Sequence, residues 1–362
     1  MNWQPGYYQA PHSFQARPFQ LPQLEMVMKV TSLIAGTAVR VRLQNLFAPT
    51  PIIFDQGWLS LSADFNDAQP LTLAGQSQLV IPPQTTQLTD PLPITVAAGQ
   101  PLYLRFQASQ PQAYMDVNIT YATKFINATW QRQLGACPAL SSRNDQPHAW
   151  FNVTGIDVLT PSTPQVIEIT GDSLVEMGML TQGLFDLTLL NRLNQVTWLQ
   201  TGIAGNRLLA DAPATTGNLA TYGEATYRRL LKRKLPWPLA LTVVNAGLND
   251  LLVPLKMPQL NLALPTIDQL TTCYQQLARH QPVLVPTLSP SLFATSASSV
   301  GEQRRQQVNE FLRQQSWGVD LEPTLSNHSG SLKPELDFGD HLHWSEAGGI
   351  AVASRIWSAI FK

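Results

Sequence analysis

Ser173 stands in Gly171-Asp172-Ser173-Leu174, directly after the apolar run Val166-Ile167-Glu168-Ile169-Thr170 and before a stretch with helical pattern. Far along the chain comes Asp340-His341-Leu342-His343. A serine on a strand-to-helix turn, with an aspartate and a histidine distant in sequence, is the raw material of nucleophilic acyl transfer. The hydroxyl attacks, the imidazole takes its proton and the carboxylate orients the imidazole. The plain alternative for Ser173 is a helix N-cap. Of the six histidines, His280 ends a predicted helix, where a cation suits the dipole. His12, His148 and His328 have no chemical neighbour in the sequence. His341 and His343 share a loop before the last helix with Asp337 and Asp340, and the residues alone leave the pairing open.

Two further blocks lie between these, Gly202-Ile203-Ala204-Gly205-Asn206 and Gly247-Leu248-Asn249-Asp250. Together, in this order, the four blocks resemble those of the SGNH or GDSL hydrolases, a family of serine esterases and lipases. The resemblance implies Ser173 as nucleophile, His343 as base and Asp340 as its orienting carboxylate, since the family pattern is Asp-x-x-His. His341 and Asp337 remain the rival base and carboxylate. It also implies an oxyanion hole from the backbone N–H groups of Ser173 and Gly205 and the side-chain amide of Asn249, with Gly202 as a turn residue. The plain reading of Asn249-Asp250 is a turn after a buried strand. Asp172 and Asp250 are expected to order loops by accepting backbone N–H bonds. Arg207 is expected either to contact substrate or to pair with a carboxylate, and Trp344 to wall the site. No Gly-x-Ser-x-Gly occurs, so the nucleophile elbow of the α/β-hydrolases is absent.

The elements that must position these residues follow two grammars. Up to about residue 125 the period is two. Val39, Val41 and Leu43 alternate with Arg40, Arg42 and Gln44, and Met115, Val117, Ile119 and Tyr121 with Asp116, Asn118 and Thr120. Such runs suit strands with one dry and one wet face, and the prolines and glycines between them mark turns. The expectation is an all-β sandwich of the jelly-roll kind over residues 1–160. From 165 onward strand candidates at 165–170, 195–201, 239–246, 282–288 and 317–321 alternate with helical patterns. This predicts a mainly parallel sheet with helices on both faces over 161–362. Thr266/Gln269 and Ser299/Glu302 have capping-box spacing. Ile350, Ala353, Trp357 and Ile360 form one apolar stripe on the last helix. Ser173, Gly205 and Asn249 all fall just after a predicted strand, where sites in such sheets lie. By resemblance the second half is a flavodoxin-like, three-layer α/β/α domain. The segments Val39-Arg40-Val41-Arg42-Leu43-Gln44-Asn45 and Ser77-Gln78-Leu79-Val80-Ile81-Pro82-Pro83 also resemble the β-sandwich that precedes the catalytic domain in some bacterial carbohydrate esterases.

A chain of 362 residues, 44% hydrophobic, can bury two cores. A net charge of −1 offers no attraction for nucleic acid or an anionic membrane. The basic run Arg228-Arg229-Leu230-Leu231-Lys232-Arg233-Lys234 reads as the cationic end of a helix. Cys137 and Cys273 are too few and too far apart for a disulfide framework or a metal site, and Cys273 reads as a core residue. No secretory leader pattern opens the chain, so a soluble, cytoplasmic protein is expected. The function expected is hydrolysis of short-chain acyl esters, acetyl esters of carbohydrates foremost, through an acyl-enzyme and without cofactor or metal. A broad aryl or alkyl esterase or lipase is the nearest alternative, and a non-catalytic carbohydrate-binding protein the one from another class.

Overall fold

The computed structural model describes residues 1–135, 137–291, 299–327 and 330–361. It is a mixed α/β protein of two compact units, Met1–Gln165 with Thr188–Leu199, and Val166–Leu187 with Gln200–Lys362. The boundary thus falls at 165/166 rather than at 160, and residues 188–199 join the first unit. Hydrogen bonds explain the grouping. Thr197 Oγ1 donates to the Pro5 carbonyl at 2.7 Å, Ala35 N to Asn194 Oδ1 at 2.6 Å, and Gln165 N to the Gln195 carbonyl at 2.8 Å.

Up to Thr160 the described regular structure is all strand, paired antiparallel. Pro101–Ala108 alternates half-buried with buried residues along its whole length, as its period-two pattern requires. Two other strands depart from the wet-face expectation. Arg42 and Gln44 on Ala38–Asn45 are buried, and Arg42 lies 2.7 Å from the buried Asp157. Asp116 and Asn118 are buried too. Asp116 accepts from Leu46 N at 2.7 Å and Phe47 N at 3.0 Å, while Asn118 donates to the Gln9 carbonyl at 2.9 Å. These polar side chains face inward because neighbouring loops bring backbone groups that need partners there.

In the second unit the strands run in the spatial order 200–202, the end of Val196–Gly202, then 166–171, 241–245, 283–286 and 318–319. From Gln165–Gly171 to Leu241–Asn245, Val283–Pro286 and Gly318–Val319 the pairing is parallel. The second strand in sequence lies on one side of the first and the third on the other, a topological switch point. Val166 to Gly171 are all buried, as expected of a strand covered on both faces.

The helices show what periodicity captures and what it misses. Ile267–His280 opens on a complete capping box, with Gln269 N donating to Thr266 Oγ1 at 3.2 Å and Thr266 N to Gln269 Oε1 at 2.8 Å. It buries Leu270, Cys273, Tyr274 and Leu277, one face at helical spacing. The Ser299 side chain of the other expected box lies outside the described residues. The last helix, Glu346–Ile360, fully buries only Ala353 of its expected stripe. Ile350 is exposed, and the buried face is Gly348, Gly349, Val352, Ala353 and Ile356. Glycine lets the backbones touch here, since a Cβ on Gly349 would lie 2.4 Å from the Met179 carbonyl carbon, and one on Gly183 2.7 Å from Ala353 Cβ. Among the described residues no helix is long and apolar enough to cross a membrane.

Gly349→Ala should therefore destabilise the fold by about 1–3 kcal/mol, an overpacking cost that exceeds the roughly 1 kcal/mol alanine gains in helix propensity. Urea unfolding measures it. A variant as stable as wild type would mean that the last helix does not pack backbone to backbone at this point.

Candidate active site

The turn that carries Ser173 depends on the absence of a side chain at 171. Gly171 has φ +150°, and a Cβ there would lie 2.0 Å from the Asn245 carbonyl oxygen on the neighbouring strand. Asp172 follows as N-cap of the helix Ser173–Glu176, its Oδ1 accepting from Leu174 N at 3.0 Å. Ser173 itself is half-buried.

His343 Nε2 lies 2.8 Å from Ser173 Oγ, and its Nδ1 lies 2.6 Å from Asp340 Oδ2. Asp340 Oδ1 accepts from the backbone N–H of His343 at 2.8 Å and of Leu342 at 3.1 Å. Burial by itself would raise this carboxyl, but the bonds from the His343 ring and backbone outweigh it and hold Asp340 well below the usual carboxylate range. A carboxylate that stays ionised keeps the imidazole proton on Nδ1 and leaves Nε2 free to accept the serine proton. The rival pair does not reach the serine. Asp337 Oδ2 lies 2.7 Å from Nδ1 of His341, whose ring is exposed. Backbone bonds from Phe338 N to the His343 carbonyl and from Ser345 N to the Leu336 carbonyl, both 2.9 Å, close this loop.

The second loop follows the strand Val196–Gly202. Ile203 N donates to the Gly171 carbonyl at 3.0 Å and Ala204 N to Glu176 Oε2 at 3.1 Å, fastening the loop to the serine turn. Gly205 has φ +74°, and a Cβ there would meet the Tyr222 ring at 2.4 Å. Neither its N–H nor that of Ser173 has a hydrogen-bond acceptor among the described residues. The adjacent Asn206 is buried and fully employed. Its Nδ2 donates to the carbonyls of Tyr222 at 2.6 Å and Glu224 at 2.8 Å, while Oδ1 accepts from Thr226 Oγ1 at 2.5 Å and from Arg229 at 2.9 Å. Asn249, on the first turn of the helix Leu248–Lys256, donates from Nδ2 to the Asn206 carbonyl at 3.2 Å. Its amide retains a second N–H. The next residue, Asp250, accepts from Leu208 N at 2.6 Å and Leu209 N at 2.9 Å. Asp172 and Asp250 thus order loops through backbone N–H groups, as expected.

Trp344, expected to wall the site, and Arg207, expected to contact substrate or pair with a carboxylate, are both turned into the protein. Trp344 is buried and donates from Nε1 to Ser289 Oγ at 3.1 Å, so it presents no surface to a substrate. Arg207 is buried and donates to the Asp211 carbonyl, close to Asp250, whose charge counters the lowering that burial imposes on the guanidinium. The basic run does more than end the helix Thr226–Lys232. Arg229 donates to the Thr201 carbonyl at 2.9 Å as well as to Asn206, and Arg233 lies 3.2 Å from the buried Glu168. Their i, i+4 spacing was the available signal that both turn to one side. Glu176 and Asn206 carried no such signal, because their roles are bonds to backbone remote in sequence. Among the described residues no group of three or more His, Cys, Asp or Glu is placed to hold a metal ion.

No protein-family model and no curated protein sequence matches the chain. Among solved structures it is similar to the acetyl xylan esterase AlAXEase, at 17% identity over 54% of this chain and 100% of that one, with a TM-score of 0.41. Axe2, an acetylxylan esterase from Geobacillus stearothermophilus, matches at 14% identity over 56% and 96%, TM-score 0.43. An active-site mutant of a family two carbohydrate esterase from Clostridium thermocellum matches at 12% over 95% and 92%, TM-score 0.36. Likenesses of this degree leave the chemistry of the chain to its own residues.

The two buried aspartates make stability depend on pH. Burial pushes Asp172 up to about 7 against the bond from Leu174 N, and Asp250 up to about 6 against those from Leu209 and Leu208. The folded protein then holds these protons more tightly than the unfolded chain, where the ordinary value is 3.8. Their stabilising contribution is full below about pH 3.8 and is lost as pH rises through about 6 and 7. Asp250→Asn removes one of them, so its unfolding free energy should change by less than that of wild type as pH falls from about 7 to 4. An unaltered pH dependence in denaturant titrations would show that Asp250 titrates as in the unfolded chain.

Proposed function

We propose that this chain is a serine esterase of the SGNH type that hydrolyses short-chain acyl esters, acetyl esters of carbohydrates foremost, through an acyl-enzyme on Ser173. One observation carries the reading, the unbroken path from Ser173 Oγ to His343 Nε2 at 2.8 Å and from His343 Nδ1 to Asp340 Oδ2 at 2.6 Å. A hydroxyl, a base and an orienting carboxylate at these separations form the machinery of nucleophilic acyl transfer. The strand order of the second unit, 2-1-3-4-5 counted from Gln165–Gly171, supports the flavodoxin-like, three-layer form of the reading. Acetylated carbohydrate is the substrate class that the sequence resemblance implies.

In this scheme Ser173 Oγ attacks the ester carbonyl as its proton passes to His343 Nε2. The carbonyl oxygen becomes an oxyanion that accepts from the N–H groups of Ser173 and Gly205 and from the Asn249 amide. Collapse of the tetrahedral intermediate breaks the bond to the alcohol oxygen, which takes the proton from His343. Water then attacks the acyl-Ser173, giving a proton to His343, and the acid leaves as the serine hydroxyl is re-formed. Asp340 stays ionised throughout and steadies the imidazolium. The scheme requires neither metal nor cofactor.

Ser173→Ala and His343→Ala should each lower kcat on p-nitrophenyl acetate by about 10⁴–10⁶, and the double variant little further, because both act on one proton transfer. A fluorophosphonate should label Ser173. Either single variant keeping a tenth of the wild-type rate removes that residue from the mechanism.

Asn249→Ala should lower kcat by about 10²–10³ with KM nearly unchanged, since an oxyanion donor strengthens its bond in the transition state. Steady-state kinetics separates the two parameters. A raised KM at constant kcat would make Asn249 a group that positions substrate instead.

A further inference from the structure

The loop that brings His343 to Ser173 builds a second carboxylate–imidazole pair two residues away. The Asp337 side chain is 6% exposed, and its Oδ2 lies 2.7 Å from Nδ1 of His341. Its Oδ1 accepts from Gly339 N at 2.8 Å and from His341 N at 3.0 Å. The two pairs are built with opposite exposures. In one the ring is 19% exposed and the carboxylate 45%, whereas in the other the ring is 64% exposed and the carboxylate 6%. His341 Nε2 has no partner among the described residues. His341 also takes φ +61°, the left-handed region that few non-glycine residues adopt, histidine among the more frequent of them.

A carboxylate withdrawn from water is thus used to aim an imidazole whose other nitrogen has no hydrogen-bond partner among the described residues. With the Nδ1 proton directed at Asp337, the neutral ring offers Nε2 as an acceptor to whatever arrives from solvent. Chain connectivity sets the place of arrival. Two trans peptide units hold the Cα atoms of His341 and His343 within about 7.6 Å of each other. The exposed ring of His341 and the ring that reaches Ser173 Oγ therefore branch from one short stretch of the same loop.

We propose that His341 is a specificity-determining residue whose Nε2 accepts a hydrogen bond from a hydroxyl on the alcohol portion of the ester. This rests on the serine-esterase reading and adds the substrate feature recognised, a free hydroxyl near the scissile ester. An aryl or simple alkyl ester has no such hydroxyl and gains nothing from His341.

The test compares p-nitrophenyl acetate, whose leaving group has no hydroxyl donor beyond the ester, with a monoacetylated methyl xyloside. His341→Ala should lower kcat/KM on the xyloside by about 2- to 12-fold, the worth of one neutral hydrogen bond, mainly through KM. On p-nitrophenyl acetate it should stay within about twofold of wild type, and His341→Gln, which keeps an acceptor, should recover part of the loss. Equal losses on both substrates would reduce His341 to a brace of its loop, and no loss on either would remove it from substrate recognition. Calorimetric binding of the xyloside to Ser173→Ala, with and without His341→Ala, supplies a readout without turnover. Unweakened binding overturns the proposal. A wild-type protein that hydrolyses neither ester and resists fluorophosphonate would instead overturn the serine-esterase reading.

Discussion

Irregular backbone buried at the ends of strands must still satisfy its N–H and C=O groups, and this constraint governs the second unit. Three buried side chains, Asp172, Asn206 and Asp250, meet part of the demand. Asp172 holds the serine turn, Asn206 ties its own loop to the Tyr222–Glu224 turn, and Asp250 anchors Leu208 and Leu209. With these partners inside, the N–H groups of Ser173 and Gly205 have no acceptor among the described residues. The same side chains that close the loops decide which donors remain open.

Aspartate serves two purposes in this unit, and solvent separates them. Asp172 and Asp250 are buried, and the cost of charge without water raises both carboxyls. Asp340 is partly exposed and meets the His343 ring and backbone, so its charge is favoured instead. Raised carboxyls in contact with backbone amides suit scaffolding, where only an acceptor is required. A depressed carboxyl against an imidazole suits fixing a tautomer and steadying a developing cation. Identical side chains thus acquire different work from their surroundings.

Support for the loops comes from elements that the sequence presents as unrelated. Arg229 joins the end of one strand, at the Thr201 carbonyl, to the Asn206 side chain, and Arg233 in the next turn lies against Glu168 inside the sheet. Burial lowers Arg229 to about 10, opposed by Glu168 and Glu224, so it stays charged at neutral pH while partly shielded. Glu176 performs the corresponding task from the serine helix by accepting from Ala204 N. None of these residues needs to touch a substrate to matter for the site, since each determines where a loop carrying an open donor can lie.

Much of this was legible in the chain alone. Period-two and helical patterns located the strands around the site and the capped helix at Ile267, because those signals are local and follow from backbone geometry. The four blocks, in order, named the residues that the structure brings into hydrogen-bonding distance at Ser173, His343 and Asp340. Other features depended on neighbours remote in sequence. Whether Arg42 and Asp116 face water, whether Trp344 walls a cleft or fills a core, and which side of the last helix is dry all turn on what packs against them. The Gly349 face carries helical spacing at Val352, Ala353 and Ile356, but its backbone contact depends on the room a missing Cβ leaves for Met179, which no pattern announces. The residues alone left His341 and His343 open, the Asp-x-x-His pattern favoured His343, and spatial position agrees with it. Both sit beside an aspartate at helical-turn distance, and only the folded loop carries one ring to the serine while leaving the other at the surface. The chain determined the chemistry on offer and the local elements that bear it. Tertiary packing decided which of those groups meet, because burial and long-range hydrogen bonds are properties of pairs that no single stretch of sequence contains.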